Sequence, residues 1–240
     1  MERLYISQVK IKPFDKYSYL SGLPVVQWLL ESGKLDFTGD VTFFVGENGT
    51  GKSTIIEAIA ICAGFNAEGG SKNFNFSTRQ TSSDLYKYLT LSKSAHEKDG
   101  FFLRAESFYN VATQVDELDL DLAGYGGQSL HNQSHGESFM ALVQNRFRGN
   151  GLYILDEPEA ALSPYRQMTL LTQIKRLVDK KSQFIIATHS PILLAYPGAT
   201  IYQISEDGLR QVAYQECEHY KITKQFLEQP QRMLHYLFDD

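Results

Sequence analysis

Cysteine is scarce in this sequence. The 240 residues carry two, Cys62 and Cys217, which excludes a disulfide framework and a four-cysteine metal site. Long apolar runs are missing too: no stretch approaches the ~20 residues that a membrane-spanning helix needs. The opening MERLYISQVKIK has neither the apolar core nor the small-residue cleavage site of a signal peptide, so a soluble, cytoplasmic protein is expected. Positive charge is not in excess. Lys and Arg number 23 against 28 Asp and Glu, a net charge of -5, which removes the global electrostatic case for nucleic-acid binding and leaves only that of a local basic patch. An internal repeat and the heptad run of a coiled-coil arm are also absent. What remains, 42% hydrophobic and 21% charged residues, is ordinary globular chemistry, and the length suits one large α/β domain, residues 1–240, with a full core.

Local patterning places the elements. LYISQVKI predicts a strand, and residues 24–33, PVVQWLLESG, a short helix with Pro24 in its first turn and Gly33 as its stop. VTFFVG (41–46) is a β-branched and aromatic strand ending in glycine. A helical pattern follows over 53–63, with Ile55, Ile56, Ile59 and Ala60 on one face. From about 65 to 100 the chain turns polar, which predicts an inserted lid of turns and short elements. GFFLRAESF (100–108) predicts a strand, the glycine-rich stretch 124–137 a loop, and 138–148 a helix, giving a helical region over about 120–150. GLYILD (151–156) and FIIATHS (184–190) read as buried strands on either side of a helix over 166–179. TIYQIS and LRQVAY, joined by Glu206-Asp207-Gly208, predict a hairpin, and 222–237 one amphipathic helix. Strands alternating with helices imply an α/β fold with a mainly parallel sheet covered on both faces, and an antiparallel strand region at its N-terminal side.

Three segments carry chemistry. GENGTGKS (46–53) fits G-x-x-x-x-G-K-[ST] and lies between a strand and a helix, where the phosphate-binding mechanism needs it. Gly46, Gly49 and Gly51 let backbone N–H groups turn towards phosphate oxygens without Cβ clashes, and the helix adds its positive dipole end. Gly46, Glu47, Asn48, Gly49, Thr50, Gly51, Lys52, Ser53 and Thr54 are the expected nucleotide contacts, with Lys52 reaching the β- and γ-phosphates and Ser53 holding Mg²⁺. GLYILDEPE is an apolar strand ending in two acids, which places carboxylates at the carboxyl edge of the sheet. Asp156 is expected to hold Mg²⁺ with Ser53. Glu157 is expected to polarise an attacking water, its proton affinity raised by an apolar strand environment. His189, after another core strand, falls at the same edge near the place of a γ-phosphate.

Together these residues resemble the nucleotide-binding domain of the ABC-type ATPases, a P-loop NTPase family, over nearly the whole chain. GENGTGKST is similar to Walker A, LYILDEPE to Walker B with its catalytic glutamate, and ATHS to the His switch. QSHGES (133–138) stands in the place of the family's signature, Ser134 matching the signature serine and Gly136 its second glycine. The resemblance implies Mg-dependent ATP hydrolysis with Lys52, Glu157 and His189 as catalytic residues. It also implies a head-to-tail homodimer in which Ser134, Gly136 and Glu137 of one copy close over the ATP held by the other.

The departures are informative. His135 replaces the first signature glycine, and Glu137 stands where transporters have glutamine, as it does in the chromosome-maintenance and double-strand-break-repair members. Ser163 replaces the transporter D-loop aspartate, so EPEAALSP resembles the E-P-E-x-x-L-x-P pattern of RecF-like and overcoming-lysogenization-defect-like ATPases. No glutamine follows GFFLRAES at the Q-loop, which leaves that contact to Arg104 or Glu106, with Gln80 an outside alternative. The overall pattern is similar to stand-alone bacterial ATPases of the RecF, SMC and overcoming-lysogenization-defect group. Three roles follow. The first is a soluble switch or motor acting on nucleic acid or a partner effector in repair or phage defence, favoured by Glu137 and Ser163. The second is the ATP-binding subunit of an ABC transporter docked on a membrane permease, disfavoured by the Q-loop and D-loop departures. The third is a nucleotide-dependent toxin or regulator with slow hydrolysis.

For the weaker features plain packing competes with function. His131 and His135 are four apart but lack a third ligand, so no zinc is expected. Phe74 and Phe76, with Lys72 and Arg79, have the composition of a base-stacking segment, although packing of a lid is favoured. Tyr5, Phe14, Tyr17 and Tyr19 divide between adenine stacking and the core, and Cys62 is expected as a small buried hydrophobe.

Overall fold

The computed structural model describes residues 4–14, 18–72, 83–106, 108, 113 and 133–238. β1 (Ile6–Ile11) is followed by α1 (Pro24–Ser32), which Pro24 starts and Gly33 ends in the left-handed region at φ 72°. β2 (Lys34–Asp36), β3 (Val41–Gly46) and α2 (Lys52–Ala63) come next. Within the polar 65–100 stretch, residues 73–82 lie outside the described residues. The remainder holds a 3-10 turn at Asp84–Tyr88 and β4 (Leu89–Lys93), and β5 (Asp99–Arg104) begins at its end. The glycine-rich segment 124–132 also lies outside the described residues. The other described elements are α3 (His135–Arg146), β6 (Gly151–Asp156), α4 (Pro164–Val178), β7 (Gln183–Ala187), the one-turn α5 (Pro191–Leu194), β8 (Thr200–Ser205), β9 (Gly208–Val212), α6 (Glu218–Glu228) and α7 (Pro230–Phe238).

Five parallel strands in the order β5-β6-β7-β3-β8 form the main sheet, and β9 closes it antiparallel to β8. Arg104 lies opposite Asp156, and Ala187 opposite both Asp156 and Phe44. The carboxyl ends of β3, β5, β6 and β7 therefore finish on one line. The continuous apolar runs of these strands follow from burial on both faces. Phe43, Tyr153, Leu155, Phe184 and Ile186 enter one core with Phe139, Leu142 and Val143 of α3 and Leu170, Ile174 and Leu177 of α4. Their sequence neighbours Phe44, Leu152, Ile154, Ile185 and Ala187 enter the other, with Val25, Val26 and Leu29 of α1 and Ile55, Ile56 and Ile59 of α2. The period-2 alternation of a strand thus feeds two helix layers at once.

β2, β1 and β4 make a second, antiparallel sheet. Two buried side chains join the two sheets: the Tyr202 hydroxyl of β8 donates to Asp36 O of β2 at 2.7 Å, and Gln183 of β7 accepts from Ile6 N and donates to Ile6 O, both at 2.8 Å. Nearby, the Tyr5 hydroxyl donates to Lys181 O at 2.9 Å.

Three boundaries differ from expectation. β5 stops at Arg104 rather than near 108: Ala105 N makes the last ladder bond, to Asp156 O, and the Arg104 side chain is drawn to Glu57 and Asp156. α3 starts at His135 rather than 138: Ser134 is its N-cap, and Ser134 with Glu137 forms a capping box. The single C-terminal helix is two, since Pro230 cannot continue the hydrogen-bond ladder of α6 and opens α7 instead. Neither α6 nor α7 has a buried residue, and Ile222, Leu227, Tyr236, Leu237 and Phe238 are exposed. Among the described residues no helix is long and apolar enough to cross a membrane.

Candidate functional site

The loop between β3 and α2 is shaped by glycine. Gly46 sits at φ 151°, and a Cβ there would lie 2.3 Å from Ile204 O, so any side chain would strike the backbone of β8. Gly51, at φ 96°, caps α2, where a Cβ would meet Val25 at 2.7 Å. Between them Glu47, Asn48 and Gly49 are exposed, and Thr50 Oγ1 folds back to donate to Glu47 O at 2.8 Å. Lys52 is 4% exposed, and its Nζ donates to Gly46 O at 2.8 Å and Glu47 O at 2.9 Å. The ammonium thus holds the loop in the curved form that phosphate oxygens would otherwise stabilise. Burial pulls its pKa down, while the charges of Glu157, Asp156 and Glu47 oppose the shift. Ser53 and Thr54 follow, half-buried, in the first turn of α2.

At the end of β6 the Ser53 hydroxyl donates to Asp156 Oδ1 at 3.1 Å. A hydroxyl and a carboxylate side by side are a hard, all-oxygen donor set that fits Mg²⁺. The other carboxylate oxygen is 3.3 Å from Nε of Arg104, whose Nη1 binds Glu57 at 2.7 Å and whose Nη2 is 3.5 Å from the exposed Glu106. Of the two Q-loop candidates it is therefore Arg104 that touches Asp156; Gln80 lies outside the described residues. Burial pushes the Asp156 carboxyl up to about 6, with Arg104 and Ser53 working against that rise.

Glu157 takes a left-handed backbone conformation, φ 51° and ψ 50°, and its N–H donates to Ala187 O at 3.0 Å. The kink aims its side chain off the strand. That side chain is 40% exposed and approaches His189 Nε2 at 3.5 Å, so the apolar surroundings expected for it are instead those of Asp156 and of Glu159.

Glu159 was not expected to act. Its carboxylate accepts from Thr188 Oγ1 at 2.7 Å and from His189 N, tying the Pro158–Ala161 turn under the His189 segment, and burial raises its pKa. The second acid of E-P-E, two residues beyond Glu157, was the available signal. His219 was missed as well. It stands in the first turn of α6, with Nε2 2.8 Å from His189 Nδ1, and nothing in its own neighbourhood of sequence marks it.

The remaining expected residues divide. Ser53, Arg104, Glu106, Asp156, Glu157 and His135 border one cleft of about 400 Å³. Ser134 and Glu137 are instead bound to each other, Oγ to Oε2 at 2.7 Å, and to Arg166, whose Nη2 reaches Glu137 at 3.0 Å. Gly136 is pressed against this group, since a Cβ would lie 2.8 Å from Ala161 O and 2.5 Å from Arg166 Nη1. Lys72 pairs with Glu97 and lies over the Phe65 ring. Tyr5 is buried, Phe14 packs on Tyr88 at 4.7 Å between ring centres, and Tyr19 is 65% exposed. Cys62 is half-buried, with Sγ donating to Tyr86 O at 3.2 Å. Tyr17, Phe74, Phe76, Arg79 and His131 lie outside the described residues.

Two protein-family models match, each over part of the chain: one described as "AAA domain" over residues 27–114, the other as "AAA domain, putative AbiEii toxin, Type IV TA system" over residues 138–195. UvrABC system protein A of Malacoplasma penetrans is 29% identical over 127 residues, 50% of this chain, which spans 13% of that relative. Among solved structures, CbiO1 from Clostridium perfringens, part of the ABC transporter complex CbiONQ, is similar at 16% identity and TM-score 0.50, covering 97% of this chain and 99% of that one. The SMC head domain from Thermotoga maritima is 19% identical at TM-score 0.46, covering 87% and 98%. At these identities the structural likeness is one of fold.

Proposed function

We propose that this chain, an ABC-type P-loop ATPase by its fold, binds Mg-ATP and hydrolyses it to ADP and phosphate in a dimer closed around the nucleotide. One observation carries the proposal: Lys52, the Ser53–Asp156 pair and the Glu157–His189 pair, set by the start of α2 after β3 and by the ends of β6 and β7, meet at one sheet edge. Bound Mg²⁺ would be held by Ser53 and Asp156 and would neutralise phosphate charge. Lys52 exchanges the Gly46 and Glu47 carbonyls for phosphate oxygens, and residues 46–54 supply backbone N–H groups. Glu157, exposed and off the strand, accepts a hydrogen bond from the attacking water and takes its proton at Oε. His189 donates to the transferred phosphate. Ser134, Gly136 and Glu137 from a second copy close the site, for which Glu137 and Ser134 must loosen from Arg166.

The role best supported is a switch or motor acting on nucleic acid or a partner effector, of repair or phage-defence type. Glu137 and Ser163 favour it. Glu157→Gln is expected to bind ATP, hydrolyse it at least 100-fold more slowly, and run as a dimer in light scattering only with ATP present. Wild-type turnover by that variant would refute the assignment. Pulled from native cells with ATP, it should recover an effector or nucleic acid that stimulates turnover in a salt-dependent way; recovery of a membrane permease would overturn this role in favour of transport.

A further inference from the structure

His189 has two ring nitrogens with different neighbours. Nε2 faces Glu157 Oε1 at 3.5 Å, while Nδ1 meets His219 Nε2 at 2.8 Å, with the rings 59° apart. His219 reaches this place from α6, thirty residues on. Its backbone is well held: Cys217 before it is buried, Glu218 N donates to Gln203 Oε1 of β8 at 3.5 Å, and the Tyr214 hydroxyl donates to Pro191 O at 3.0 Å.

We propose that His219 is a positioning residue for His189: its Nε2–H donates to His189 Nδ1, fixes His189 as the Nε2–H tautomer, and aims that N–H at the transferred phosphate. The inference rests on the ATPase reading above for its consequence, though not for its geometry. Only two neutral arrangements satisfy a 2.8 Å contact between two imidazole nitrogens. If His189 Nδ1–H donated, His189 Nε2 would turn a bare lone pair towards the Glu157 carboxylate. His219 would then carry its own proton on Nδ1, a buried nitrogen with no partner among the described residues. If His219 Nε2–H donates, both faults vanish: His189 presents N–H to Glu157 or to phosphate, and His219 Nδ1 keeps a lone pair, which is cheaper to bury than an unmet donor. Burial lowers the pKa of both histidines, which favours neutral rings, and Lys52 adds to the effect on His189. Fixing a tautomer through the far nitrogen is how an imidazole is oriented in other sites.

The test uses His219→Leu, which keeps bulk and removes the donor, and His219→Gln, which places an amide N–H near the position of Nε2. His219→Leu should lower kcat for ATP by roughly fivefold to tenfold, the worth of one oriented hydrogen bond, with KM within about twofold. His219→Gln should recover most of that loss. In ¹⁵N NMR of histidine-labelled protein, His189 should show protonated Nε2 and bare Nδ1 in the wild type, and a tautomer mixture in His219→Leu. An unchanged His189 tautomer in His219→Leu, or equal damage in both variants, overturns the proposal and reduces His219 to packing. If the wild type hydrolyses no ATP, the ATPase reading falls, yet the NMR spectra still decide the histidine pair.

Discussion

Replacing Asp156 by Asn should make the nucleotide-free protein more stable while destroying its capacity for Mg-ATP. Asp156 is 4% exposed, and burial moves its carboxyl from an ordinary 3.8 to about 6. Between about pH 4 and pH 6 the folded chain therefore holds a proton that the unfolded chain has released. The folded state binds more protons in that window, so stability falls as pH rises through it. Ionising the group in place at neutral pH costs ~3 kcal/mol. Asn is never charged and still accepts from Ser53; the Arg104 contact it gives up is already counted in the value of about 6, Arg104 keeps Glu57, and relaxation around the buried charge discounts the gain. The net gain should be ~1–2 kcal/mol at pH 7.5, a rise in Tm of roughly 2–8 °C for a chain of this size. Calorimetry in chelator, without nucleotide, from pH 4.5 to 8 reads it directly. The wild-type Tm should sag towards pH 7 while the variant's does not, and the gap should close near pH 4.5. Added Mg-ATP should then stabilise the wild type alone. A variant melting at or below the wild type at pH 7.5, or a gap indifferent to pH, refutes the reasoning.

Two further outcomes follow from the same site. Glu159→Ala should lose ~1–3 kcal/mol in urea unfolding, because Thr188 Oγ1 and His189 N lose their acceptor, and ATP turnover should fall with it. Glu159→Gln, which keeps one acceptor oxygen, should lose less than half as much; equal losses would show that the hydrogen bonds are not the cause. Gly46→Ala should cost ~2–4 kcal/mol and abolish fluorescent ATP-analogue binding, since its Cβ would lie 2.3 Å from the Ile204 carbonyl oxygen, a backbone atom of β8. A wild-type urea midpoint would contradict that contact.

Much of the fold could be read from residues whose roles are local. Gly46, Gly51 and Gly33 need positive φ, Pro24 starts a helix, and the alternation in VTFFVG, GLYILD and FIIA belongs to strands covered on both faces. The cap of α3 is spelled out as Ser134-x-x-Glu137, the same residues to which the signature resemblance assigns another task. What stayed hidden depends on distance in sequence. Glu159 acts through Thr188 and His189 about thirty residues on, His219 meets His189 only because the start of α6 sits beside Gln203 of β8, and Arg104 pairs with two acids from other elements. No window of neighbouring residues contains these encounters.

The amide of Gln183 imposes an order of events on a growing chain. Its two bonds to Ile6 span 177 residues. At ~5–20 residues per second, the N-terminal strand waits roughly 10–35 seconds on the ribosome before its partner exists. Its antiparallel neighbours, β2 and β4, are complete by Lys93. The small sheet can therefore assemble early, with Ile6 and Val9 covered on one side only, and dock when β7 emerges. Synthesis thus begins with a half-finished surface, which the chain itself seals late.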